Sequence, residues 1–83
     1  MDIRVKVLVR TTATEAWSDL YFKVKRTAPL SKVKNTIAQR MGKEPGLTCL
    51  TYEGSRVGRF DSLQKFYFQD GDFFEAHFMQ IGC

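Results

Sequence analysis

Residues 3–10, Ile-Arg-Val-Lys-Val-Leu-Val-Arg, alternate between apolar and basic with one interruption at Leu8. A period of two puts Ile3, Val5, Val7 and Val9 on one face and Arg4, Lys6 and Arg10 on the other, which predicts a strand with one buried side. Residues 20–26 repeat the pattern, with Leu20, Phe22 and Val24 set against Tyr21, Lys23 and Lys25. The polar stretch 11–19, which contains Trp17, joins the two as an antiparallel hairpin with a long loop. The period then changes. Leu30, Val33, Ile37 and Met41 recur at spacings of three and four, one stripe of a helix over 30–41. Pro29 suits its first turn, Arg40 its last turn, and Gly42 its C-terminal cap.

Beyond the helix, Pro45-Gly46 predicts a turn and 47–52 a third strand. Glu53-Gly54-Ser55 predicts a tight reversal into a short Arg56-Val57 segment, and Leu63 with Phe66 a short helical turn. Asp70-Gly71-Asp72 is a further turn. The last strand, 73–80, places Phe74, Ala76 and Phe78 on one face and Glu75 and His77 on the other. The aromatic run Phe66-Tyr67-Phe68 is expected to join the core. The order strand, strand, helix, strand, strand predicts an α+β fold of two layers, one helix across one sheet. At 83 residues the chain is expected to form one domain, 1–83, with room for a single compact core and no deep substrate cavity.

Composition narrows the function more than the fold. A 43% hydrophobic fraction with seven Phe excludes disorder. The net charge of +4, from 13 basic and nine acidic residues, favours acidic partners. No apolar run approaches membrane-spanning length, and the one near the start is broken at Arg4, Lys6 and Arg10, unlike a secretory signal. Two cysteines do not make a disulfide framework; Cys49 reads as a small buried thiol, which points to a reduced, intracellular setting. His77 is the sole histidine, and a Cys49–His77 pair would lack a third, orienting group. With no metal-ligand spacing and no glycine-rich phosphate loop, neither an enzyme nor a metal or cofactor site is expected.

From Phe22-Lys23-Val24-Lys25 onward the sequence resembles the small ubiquitin-like modifier (SUMO) family. The resemblance runs through Leu30, Lys32, Val33, Lys34, Gln39-Arg40 and Gly42, then Leu50 and Tyr52-Glu53-Gly54-Ser55-Arg56-Val57, which is similar to the family's Phe-Glu-Gly-Gln-Arg-Ile. It closes at Asp72, Glu75 and Gln80-Ile81-Gly82-Cys83 without a gap. The resemblance implies a ubiquitin-like β-grasp, ββαββ, with the first and last strands parallel at the centre of a mixed sheet. It also implies a nuclear or cytoplasmic protein that binds other proteins as a monomer.

In that family a groove between the second strand and the helix takes short hydrophobic peptides flanked by acidic residues. The matching positions are Phe22, Val24, Val33 and Ile37 for an apolar floor, and Lys23, Lys25, Lys32 and Arg40 for a basic rim. An edge strand suits such a peptide because its unpaired N–H and C=O groups accept an added strand. The same residues also read as core and a solvated edge. The family's conjugating-enzyme face maps to Gly54, Arg56 and Asp72, with Asp70 nearby; an Asp-Gly-Asp turn needs no partner to explain it. Activating and conjugating enzymes are thus implied partners, beside proteins carrying SUMO-interacting-type motifs. Gly82-Cys83 stands where the family has Gly-Gly, and the family's N-terminal extension with its acceptor lysine has no counterpart. Conjugation would therefore require processing to Gly82.

Two other readings stay open. A heterotypic interaction domain of the Phox-and-Bem type would pair Arg4 and Lys6 with an Asp70-Gly71-Asp72 loop, though the stretch after Asp72 is short for the elements that class requires. A nucleic-acid-binding face would use Arg4, Lys6, Arg10, Lys23, Lys25 and Arg26 with Tyr21 and Phe22. It lacks an aromatic stacking motif, and neither nucleic acid nor membrane is the expected partner.

Overall fold

The structure, a computed structural model, describes residues 2–10, 12 and 15–79. Five strands and one helix follow in the order β1 (Asp2–Val9), β2 (Ser18–Lys25), α1 (Ser31–Met41), β3 (Thr48–Tyr52), β4 (Ser55–Arg56) and β5 (Phe73–Phe78). Single 3-10 turns occupy Pro45–Leu47 and Leu63–Phe66. The sheet order is β2-β1-β5-β3-β4. β1 and β5 run parallel at its centre, and every other pair is antiparallel.

The alternation in β1 does what period two requires. Val5, Val7 and Val9 are buried beneath α1, while Arg4 faces the outer side. The register of the hairpin, Val5 opposite Phe22 and Ile3 opposite Val24, carries the inner face from β1 into β2. From α1 come Val33, Ile37 and Ala38, joined by Leu30 just ahead of the helix; from β3 and β5 come Leu50, Phe74 and Ala76. Phe68 stacks flat on Phe74, centroids 5.1 Å apart at 3°; Phe66 meets Phe74 edge-on, and Tyr52 packs tilted against both. Each fully buried side chain of this size stabilises the fold by about 1.5–3 kcal/mol. Thr48, the one fully buried polar residue described, donates from Oγ1 to the Glu44 carbonyl at 2.9 Å and so costs little.

Helix α1 starts without a side-chain cap. The Leu30 N–H instead donates to the Asp61 carbonyl at 2.8 Å, and Lys32 N–H to that of Pro29 at 3.3 Å. At the other end Gly42 takes the left-handed conformation (φ 67°), and Lys43 N–H reaches back to Ala38 O at 2.8 Å, a Schellman closure that a Cβ at position 42 would strain. The helix therefore begins one residue after its predicted start, and Pro29 lies ahead of it. The aromatic run divides. Phe68 is core and Phe66 half-buried, but Tyr67 caps the 3-10 turn at φ 52° and stands 82% exposed. The last strand stops at Phe78; residue 80, expected to end it, lies outside the described residues.

Candidate functional site

β2 is an edge strand: among the described residues β1 is its one neighbour in the sheet. Between it and α1 runs an open groove of about 360 Å³. Phe22, Lys23, Val24 and Lys25 form its strand side, and Lys32, Val33 and Thr36 its helix side; Ala28 and Pro29 close one end and Asp2, opposite Lys25 in register, borders the strand. Six of the eight residues expected in a peptide groove are brought together here. Arg40 sits at the end of the row 32–36–40, with its guanidinium carbon 5.1 Å from the Phe22 ring centroid, within cation–π reach. Ile37 is the correction. It is fully buried beneath the groove and presents nothing to a ligand.

The apolar floor is also thinner than expected, since Val24 and Val33 are only 7% and 5% exposed. Its other apolar lining is Phe22, Ala28, Pro29 and the stems of the lysines, whose charges stay in water. Neither of the two ion pairs among the described residues involves Lys23, Lys25 or Lys32. Apart from Asp2, the rim is basic.

The residues expected on a conjugating-enzyme face fall at two turns, the reversal between β3 and β4 and the turn ahead of β5. Gly54 sits at φ 84° in the reversal between β3 and β4, and Arg56 on β4 faces a cleft against the start of α1. Asp70 and Asp72 border a different hollow with Arg4, Lys6 and Tyr21. Asp72 organises its own turn: its Oδ2 accepts from Gln69 N–H and from the Tyr52 hydroxyl, each at 3.0 Å. Burial, then this bond to Asp72, pushes the Tyr52 phenol from 10.0 up to about 12. Gly82 lies outside the described residues.

Two further expectations change. Cys49 and His77 do face each other across β3 and β5, but the Cys49 sulfur is disulfide-bonded, not the thiol the sequence suggested. The argument for a reduced setting loses that support. The His77 ring meets Trp17 edge-on at 5.5 Å, with the Arg10 guanidinium 4.2 Å from the Trp17 centroid. Of the six cations in the nucleic-acid reading, three more are engaged by groups of the fold itself. Arg4 stacks on Tyr21 at 4.3 Å, Lys6 pairs with Asp19 at 3.8 Å, and Arg26 bonds the Phe68 carbonyl at 3.4 Å. Among the described residues no three His, Cys, Asp or Glu side chains are grouped to hold a metal, and no helix is long and apolar enough to cross a membrane.

Comparison with known proteins agrees with the topology. No family model matches the chain. Among solved structures it is similar to the ubiquitin of Caldiarchaeum subterraneum, with a TM-score of 0.75 and 24% identity over 96% of this chain and 99% of that one. The fold is the ubiquitin-like β-grasp.

Proposed function

We propose that this β-grasp domain acts by docking, and that an extended partner peptide of aliphatic residues flanked by acidic ones adds itself along β2 in the groove beside α1. The observation that carries this reading is an eight-residue edge strand bordered by an apolar channel and by three lysines outside any described ion pair. Main-chain pairing supplies register and affinity in strand addition; the channel sorts alternate side chains, and the lysines attract the acidic flanks. The resemblance to the SUMO family from Phe22 onward supports the same groove.

Amide shifts on titrating an Asp/Glu-flanked Val-Ile-Val-type peptide test it. Movement is expected over 21–25 and 28–36. Silence there removes the groove from consideration.

A second reading follows from the ubiquitin-like fold and the sequence resemblance: a conjugated modifier processed to Gly82. Incubating the full chain and a form ending at Gly82 with an activating enzyme and ATP distinguishes the two. A thioester on either form supports conjugation, and its absence from both leaves docking alone.

A further inference from the structure

Three cations line one cleft on the flank of α1 opposite the peptide groove, and no carboxylate among the described residues forms an ion pair with them. A cleft of about 260 Å³ opens there, lined by Lys34 of the helix, Arg56 of β4 and Arg59 of the following loop, over a floor that includes Leu50 and Val57. None of its described lining residues is Asp or Glu, and neither ion pair among the described residues includes any of the three. The carboxylate closest in sequence, Asp61, is engaged elsewhere. Its Oδ2 accepts from Gly58 N–H at 2.6 Å, and its Oδ1 from Lys65 Nζ at 2.9 Å. The Lys65 bond, then the Gly58 bond, hold this carboxyl below the usual carboxylate range. A side chain at position 58 would meet Asp61 Oδ2 at 3.0 Å, so the close approach depends on glycine. The Asp61 carbonyl meanwhile accepts Leu30 N–H at 2.8 Å. One residue thus pins the loop bearing Arg59 to the start of the helix bearing Lys34. The cleft wall is set before any ligand arrives.

We infer that this cleft is a docking site for a phosphorylated serine or threonine of a protein partner. Three like charges around one hollow repel each other, and a single carboxylate would offset only part of that. A phosphate ester brings about −1.5 to −2 of charge and three strong acceptor oxygens. Two guanidinium forks match those oxygens in geometry as well as sign. The apolar floor suits the short aliphatic stem of a phosphothreonine. No aromatic residue is among the described lining, so a nucleic-acid base would find no stacking surface. The site is independent of the groove: Lys32, Val33 and Thr36 look to β2, whereas Ser31 and Lys34 look to this cleft.

The test titrates the full chain, labelled for amide NMR, with a short phosphothreonine peptide lacking an acidic-aliphatic run, and with its unphosphorylated twin. Shifts at Ser31, Lys34 and 56–59 are expected from the phosphopeptide alone. Replacing both Arg56→Ala and Arg59→Ala is expected to weaken binding roughly tenfold or more, whereas Lys23→Glu with Lys25→Glu leaves it unchanged. Should the double-arginine variant misfold, Lys34→Ala gives the same reading on its own. Shifts confined to 22–25, 32, 33 and 36, or no phosphate-dependent shift, would overturn the inference without touching the groove. So would inorganic phosphate binding as tightly at the same residues, or an oligo-dT strand binding there more tightly than the peptide.

Discussion

The two flanks of α1 receive different things from the same sheet. On one side β2 offers eight residues of edge, and recognition there would be by main chain, along a line. On the other, β4 is two residues long, and the 57–62 segment, fastened by Asp61, completes the wall. A flank with so little strand offers side-chain charges at fixed points and hardly any ladder. Edge length therefore decides the kind of partner a β-grasp flank can take, and lysines that deter edge-to-edge aggregation at β2 would also tune the docking proposed there.

The largest test of the contrast is to remove what both flanks share. Phe74→Ala deletes the ring stacked on Phe68, and a fully buried Phe→Ala change costs about 3–5 kcal/mol. That is a large part of the ~5–15 kcal/mol a small domain holds in total. Urea unfolding should show the midpoint fall accordingly, with binding on both flanks lost together. A midpoint shift worth under ~1 kcal/mol would mean the core is not organised around this stack.

Next in size, Lys23→Glu with Lys25→Glu should weaken an acidic-aliphatic peptide by roughly tenfold, most at low salt, with stability changed by no more than ~0.5 kcal/mol. Calorimetry at two ionic strengths measures both. A salt-independent loss would point to damage of the strand itself.

Acid should separate the flanks further. The Asp61 carboxyl is depressed in the fold, so its stabilisation is present above the ordinary carboxylate range and disappears as pH falls through the lowered value. Gly58 amide exchange, corrected for its intrinsic pH dependence, should lose protection on acidification while the β2 amides keep theirs. Asp61→Asn should reproduce that change at neutral pH.

The smallest expected effect is at the alkaline end. Tyr52, raised from 10.0 to about 12, contributes stability that is complete below pH ~10 and is lost as pH climbs toward 12. Tyr52→Phe should remove this part of the alkaline unfolding profile; an unchanged profile would place the titration on another group.

Most of the sheet was legible because period two is hard to counterfeit. β1 and β2 each carry a buried face that a one-residue slip would expose. α1 was legible for the same reason at period 3.6. Ile37 shows where that logic stops. A helical stripe centred on the sheet names the core, while a groove is lined by the stripe's margin, here 32, 33, 36 and 40. Residue 37 lies at the centre and is covered. Lys34, Arg56 and Arg59 carried no shared signal, since a helix, a strand and a loop bring them together only after folding. Tyr67 escaped the pattern for a local reason: it ends the 3-10 turn in the left-handed conformation, so its ring does not follow the direction set by Phe66 and Phe68. The state of the Cys49 sulfur has no periodicity to read at all.

The parallel junction at the sheet's middle, Lys6 beside Phe73, joins two stretches from nearly opposite ends of the chain. Its consequence is temporal. A nascent polypeptide can zip β1 to β2 early, but the central seam must wait until β5 has left the ribosome, and such distant closures are entropically slow. Assembly is therefore expected on the millisecond-to-second scale, with no stable half-built form. A protease cut ahead of Phe73 should release the whole domain to unfolding instead of trimming it.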